Sequence, residues 1–262
     1  MNSIKKIVNS VLGLVGLEVR RTTGGKPEAQ PIQVPVELSD EECRIVEYVK
    51  SHRLSMASYE RLWATVMACK HVLERGVQGD FVECGVWRGG NALIAASVFK
   101  LHGASRRIFM FDTFQGMTKP TEVDRSAAGD ASAMEKFRAS QQQSHNEWCY
   151  ASLEDVRNNF GEAGLLDDNV IFVKGDVLQT LADPVNLPSR IAVLRLDTDW
   201  YDSTRKELEV LYPRLETGGA LIIDDYGHWA GAKKATDEYF AAQGGRPLLQ
   251  YSDYTGRLGI KY

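Results

Sequence analysis

Apolar residues follow two rhythms along the chain. Up to about residue 78 they recur every three or four positions, the helical period. From Asp80 they gather in short runs that alternate with helical stretches. Within Met1–Arg21, Ile4, Ile7, Val8, Val11, Leu12, Leu14 and Val15 fall near helical spacing, with Lys5, Lys6, Arg20 and Arg21 at the ends. The leading expectation for this segment is packing in an oligomer or cap. A weak membrane-surface contact through residues 1–21 comes second. A signal peptide fits least, because Asn9 and Ser10 interrupt the apolar run and no small-x-small cleavage site follows. Thr22–Val36 holds Gly24, Gly25, Pro27, Pro31 and Pro35, so a linker is expected there.

Ser39 followed by Glu42 spells a capping box, and Cys43, Val46 and Val49 continue at helical spacing. A second helix is expected from Ser58 to Arg75, with Leu62, Val66, Cys69 and Leu73 on one face and Gly76 as its stop. These two helices would form a cap over residues 37–78, ahead of a main domain over 79–262.

In that domain the expected strands are Phe81–Cys84, Arg107–Phe111, Val170–Lys174, Ile191–Leu196 and Ala220–Ile223. The helices between and after them are Ala92–Leu101, one capped by Ser152 and Asp155, Ser203–Leu215 and Ala232–Ala242. Pro247–Tyr262 reads as a hairpin turning at Thr255-Gly256. The alternation predicts an α/β fold, a doubly wound parallel sheet with an antiparallel C-terminal strand. The polar stretch Thr113–Ser144 has little apolar periodicity, and a loop of that length is usually functional or mobile.

Composition narrows the function classes. The chain has 262 residues with 44% apolar and 25% charged side chains, enough to bury a core without metal or disulfide staples. Its 31 basic and 35 acidic residues leave a net charge of −4, so nothing points to nucleic acid. Cys43, Cys69, Cys84 and Cys149 stand apart with no Cys-x-x-Cys spacing, which suits packing roles in a reducing, cytoplasmic setting. No run is long enough to span a membrane.

Two places carry chemistry. The first is Glu-Cys-Gly-Val-Trp-Arg-Gly-Gly-Asn, where Gly85, Gly89 and Gly90 form a turn between a strand and a helix N-terminus. A dinucleotide turn needs a second glycine two positions on, where Trp87 stands instead. A bulky indole is a poor neighbour for a pyrophosphate and suits a nucleoside with an amino-acid tail. Asp112, ending the second strand, is placed to accept from both ribose hydroxyls, and Glu83 sits in the first strand as a carboxylate in need of donors. The pattern favours S-adenosylmethionine over a nicotinamide dinucleotide.

The second is Leu-Arg-Leu-Asp-Thr-Asp-Trp-Tyr-Asp, with Asp197 and Asp199 after one apolar strand, and Ile-Ile-Asp-Asp, with Asp224 and Asp225 after the next. In a parallel sheet both pairs emerge at the carboxyl edge. Four neighbouring carboxylates cannot all stay ionised without a compensating cation. Hard oxygen donors favour Mg²⁺, or Mn²⁺ by the same logic, over zinc. Helix capping explains one or two of these acids, not two pairs. Such an ion beside a sulfonium donor suits O-methylation of a sugar or catechol hydroxyl.

Together, Tyr59–Trp63, Gly79–Gly90, Phe111–Met117, Leu194–Thr204 and Ile222–Gly227 resemble the macrocin O-methyltransferase-like, sugar-modifying enzymes of antibiotic pathways. The resemblance runs from about Leu38 to Tyr262. It implies a class I, Rossmann-like methyltransferase fold, S-adenosylmethionine as cofactor, and Mg²⁺-dependent methylation of a sugar hydroxyl in a glycosylated natural product or glycan. By position it implies Asp197, Asp224 and Asp225 as metal ligands and Asp199 as general base. Glu83, Cys84, Gly85, Val86 and Trp87, with Asp112, Thr113, Phe114 and Gly116, match cofactor-binding turns. Met56, Ser152 and Asp176 are further cofactor contacts by the same comparison. It also implies a lid over 113–144 and self-association as a homo-oligomer.

His228 is the competing base, and Trp200 and Tyr226 are expected as apolar walls. The rival functions are a catechol or vicinal-diol O-methyltransferase and a non-catalytic, metal-binding subunit of an assembly complex.

Overall fold

A computed structural model describes residues 33–262, apart from 128, 130 and 131. The expected Met1–Arg21 helix and most of the linker lie outside the described residues. Residues 36–262 form one compact unit.

The capping box forms as expected. The Ser39 hydroxyl accepts from the Glu42 N–H, the Glu42 carboxylate accepts from the Ser39 N–H, and helix α1 runs Asp40–Ser51. Glu42 is also buried, where it pairs with Lys70 and His102. Helix α2, Tyr59–Glu74, starts at Ser58 and stops before Gly76. The remaining elements are β1 (Asp80–Cys84), α3 (Gly90–Leu101), β2 (Ile108–Asp112), α4 (Ala133–Ala139), α5 (Leu153–Glu162), β3 (Val170–Lys174), α6 (Val177–Thr180), β4 (Ile191–Leu196), α7 (Tyr201–Leu211), β5 (Leu215–Ile223), α8 (Ala230–Ala242), β6 (Gln250–Tyr251) and β7 (Arg257–Ile260).

The seven strands lie in the order β3-β2-β1-β4-β5-β7-β6. The first five are parallel, and β7 enters antiparallel between β5 and β6. Period-2 alternation splits the core. Phe81, Met110, Val193 and Ile222 face α1, α2, α3 and α5, whereas Val82, Phe109, Leu194 and Leu221 face α7 and α8. Strand order reverses between β1 and β4, and in open sheets the crevice at such a reversal, beyond the strands' carboxyl ends, is where ligands bind.

Helix α7 ends at Leu211, earlier than expected, because Pro213 cannot continue it and Tyr212–Arg214 tightens into a 3-10 turn. The polar stretch 113–144 is not structureless. It contains α4, and Ala133, Met117 and Phe137 pack beside Trp148, Trp200 and Trp229.

Candidate active site

A cavity of about 420 Å³ opens at the carboxyl edge of the sheet, over the β1/β4 reversal. Its first wall is the turn after β1. Gly85 has φ +78, and a Cβ there would collide with the Asp197 carbonyl oxygen, so only glycine lets the turns after β1 and β4 lie this close. Asp112 fixes that turn. Its Oδ2 accepts the Val86 and Trp87 N–H groups at 2.7 and 3.2 Å, and its Oδ1 accepts the Phe114 N–H at 2.7 Å. The expectation placed Asp112 on ribose hydroxyls. The structure places it at the cavity wall with its oxygens already serving the backbone of two turns.

Opposite stands the acid cluster. Asp197, Asp199 and Asp225 each bring one carboxylate oxygen within 4.8 Å of the others. Asp225 Oδ2 is buried with no hydrogen-bond donor among the described residues. Burial is the main force raising all three pKa values. Asp199 reaches about 7 in spite of the lowering effect of its contact with Asp225, Asp197 stays well above the ordinary carboxylate value in spite of Arg195, and neighbouring acids add to the rise in all three.

The fourth acid is held differently. Asp224 accepts from Arg195 Nη2 through one oxygen and from Arg61 Nη1 through the other. Arg195 also donates to Glu83 at 2.7 Å and to Asp197 at 2.5 Å. It is fully buried, and three carboxylates outweigh desolvation to keep its pKa well above the ordinary guanidinium value. Burial raises Glu83 to about 7 despite that partner, and its Oε2 has no donor among the described residues. Arg61 pairs further with Asp253 at 2.9 Å.

The sequence reading asked for a cation to balance the acids and overlooked these two arginines. Arg195 was legible. It interrupts an apolar strand on the same face as Val193, and it lies beside Glu83 in the β1–β4 register. Arg61 carries no such local signal, because α2 and β5 lie far apart in the chain.

Of the remaining expected cofactor contacts, Met56, Gly85, Val86, Trp87, Thr113, Gly116 and Asp176 line the cavity together with Glu83. Three others do not. Cys84 points into the opposite core with Val82 and Phe111, Phe114 is buried behind the turn against Phe172, and Ser152 spends its hydroxyl on the Asp155 cap of α5. Trp200 packs beneath the wall and Tyr226 bonds Asp237, so the aromatic walls are instead Trp87, Trp148, Trp229 and Tyr254. His228 lines the cavity with Nδ1 3.4 Å from the Tyr254 hydroxyl.

This arrangement of turns and acids has known counterparts. The model of the Macrocin-O-methyltransferase (TylF) family matches residues 31–257. The chain belongs to the macrocin O-methyltransferase family. It is therefore a methyltransferase that uses S-adenosylmethionine. A relative from Streptomyces olivaceus, the 8-demethyl-8-(2,3-dimethoxy-alpha-L-rhamnosyl)-tetracenomycin-C 4'-O-methyltransferase, is 38% identical over 203 residues, covering 77% of this chain and 73% of its own. The demethyldecarbamoylnovobiocin O-methyltransferase of Streptomyces niveus is 36% identical over 71% of this chain and 68% of its own. Among solved structures, the O-methyltransferase NovP superposes with a TM-score of 0.68 at 33% identity, covering 79% of this chain and 82% of that one. The calicheamicin methyltransferase CalS11 shares the fold, with a TM-score of 0.59 at 19% identity over 86% of this chain and 94% of that one. In this macrocin O-methyltransferase family member the doubly wound sheet expected from the sequence is the class I methyltransferase fold. Among the described residues no helix is long and apolar enough to cross a membrane.

Proposed function

We propose that this macrocin O-methyltransferase family member methylates a sugar hydroxyl of a glycosylated natural product, with a divalent cation held at the acid cluster. The observation that carries the reading is the meeting of Asp197, Asp199 and Asp225 across the cavity from the glycine turn. Relatives named for glycosylated acceptors support the acceptor class.

The residues fit a cation. The donors are hard oxygens, all three pKa values are raised by crowding and burial, and one Asp225 oxygen has no donor. Asp197 and Asp225 belong both to the observed group and to the ligand set implied by resemblance, and they form the core of the proposed site. Asp224, the third ligand implied by resemblance, lies outside that group with one oxygen on Arg195 and the other on Arg61. When bound, such an ion lowers the pKa of an acceptor hydroxyl, as it does for water.

The protein's own groups do the rest. Asp199, whose carboxylate stands beside those of Asp197 and Asp225, is the acceptor for the hydroxyl proton. The turn after β1 and Glu83 hold the nucleoside and amino-acid ends of the donor. The oxygen–methyl bond forms as the sulfur–methyl bond breaks, and sulfur keeps the electron pair. The lid over 113–144 excludes water from the transfer.

The test is mass spectrometry for a 14-unit gain, about one CH₂, on a panel of glycosides and catechols with S-adenosylmethionine, with and without EDTA. Glycoside methylation that EDTA stops and Mg²⁺ restores is the expected result. Methylation surviving complete metal removal overturns the metal assignment, and methylation of catechols alone overturns the acceptor class. Asp199→Asn should lower kcat by about 10²–10⁴-fold with donor affinity unchanged.

A further inference from the structure

Helices α7 and α8 begin directly after the two acid-bearing turns, and neither is capped by the side chain at its own N-cap, which is Trp200 in α7 and Trp229 in α8. Both receive their caps from the lid. Asp124, only 2% exposed, accepts the Tyr201 N–H through Oδ1 at 2.8 Å. Its Oδ2 accepts from the Thr121 N–H and hydroxyl at 2.7 and 2.8 Å. The carbonyl of the next residue, Arg125, accepts the Ala230 N–H at 2.9 Å, and the Ala127 N–H donates to the His228 carbonyl at 2.7 Å.

At Gly231, the second residue of α8, a Cβ would collide with Asp124 Oδ1. One carboxylate therefore stands at the positive ends of two helices, where negative charge is favoured. Trp200 Nε1 adds a bond to the Thr118 carbonyl at 3.0 Å. What these contacts hold is strained. Asp199, one residue before Trp200, has φ +69, a costly conformation for a residue with a side chain. On the other turn, the Asp225 carbonyl accepts the His228 and Trp229 N–H groups at 3.0 Å each.

We propose that Asp124 is a positioning residue: from the lid it caps the start of α7, sets the Arg125 carbonyl that holds the start of α8, and through these steadies the turns that bring Asp199 and Asp225 together. Asp124 does not line the cavity. Its role is to make the lid and the acid cluster one mechanical unit, so that the cluster is complete only with the lid seated. The inference rests on the reading of that cluster as the active centre.

The test uses the full chain with Asp124→Ala, Asp124→Asn and Gly231→Ala, the last reaching the same contact from the helix side should an Asp124 variant fail to fold. Hydrogen–deuterium exchange at residues 198–204 and 228–233 needs neither metal nor acceptor. Losing the cap should speed exchange at residues 198–204 by about tenfold in Asp124→Ala, with a smaller rise at 228–233, where the Arg125 carbonyl still accepts the Ala230 N–H. Asp124→Asn, which keeps an oxygen at Oδ1, falls between, and Gly231→Ala matches Asp124→Ala. Mn²⁺ affinity, read by electron paramagnetic resonance, should weaken by about 10- to 100-fold. Metal-free S-adenosylmethionine affinity should change by less than about twofold, because the glycine turn is untouched. Faster exchange confined to the lid, with both helix starts unchanged, overturns the proposal. A wild-type chain that binds no Mn²⁺ overturns the metal reading instead, and exchange still decides the role of Asp124.

Discussion

Across one cavity the chain holds its carboxylates by two unlike means. At the glycine turn Asp112 is satisfied by the backbone N–H groups of Val86, Trp87 and Phe114. At the ends of β4 and β5 the acids are held by side chains, Arg195 and Arg61, or left with an oxygen to spare, as in Asp225. Backbone donors are fixed by the fold and cannot swing away. Guanidiniums on rotatable stems can, and a bare oxygen invites a cation. The glycine turn is thus preset, and the acid cluster keeps a bare Asp225 oxygen where the proposed cation would sit.

The contrast is broken most severely by Arg195→Met. That change leaves buried Glu83 and Asp224, and half-buried Asp197, without their shared counter-charge, and urea unfolding should show a loss of about 3–5 kcal/mol. A smaller loss would mean that the acids take up protons readily in place of the arginine. Next comes Asp112→Ala, which strands buried N–H groups in the donor turn. Stability should fall by on the order of 1–3 kcal/mol, with S-adenosylmethionine affinity, measured by calorimetry, falling alongside.

The mildest probe is Glu207, a buried carboxyl on α7 that accepts from the Thr198 hydroxyl at 2.7 Å, just below the acid cluster. Burial lifts it from 4.5 to about 8. Because the folded form holds its proton more tightly than the unfolded one, the stability this group contributes is complete below pH 4.5 and is lost as pH rises to about 8. Glu207→Gln should remove this group's share of that dependence, lessening the slope of the stability profile by up to about 1.4 kcal/mol per pH unit and leaving the part due to Glu83 and Asp199. An unchanged profile would show that Glu207 is ionised in the folded protein.

Much of the architecture was legible because its signals are local. The capping boxes at Ser39 and Ser152 and the apolar run Val170–Lys174 each announce themselves within a few residues. The acid pairs were legible as well, since strand-end position and sheet direction together bring them to one edge. What escaped needed contacts between distant segments. Arg61 reaches Asp224 across 163 positions, and Asp124 reaches Tyr201 across 77. Thr113–Ser144 gave little sign of order because its anchors are single residues, Thr118, Asp124 and Arg125, meeting helix starts elsewhere. Ser152 and Cys84 show the converse: the sequence neighbourhood of a site includes side chains that point away from the cavity.

Strand β7 fills the outer ladder of β5, although β5 precedes it by the whole of α8 and β6. Synthesis runs from the amino end, so a nascent chain displays Leu215–Ile223, five of its residues apolar, as an open edge until Arg257–Ile260 has emerged. Exposed edges of this kind invite pairing with other chains. A product released early, before Arg257, would accordingly be prone to aggregate.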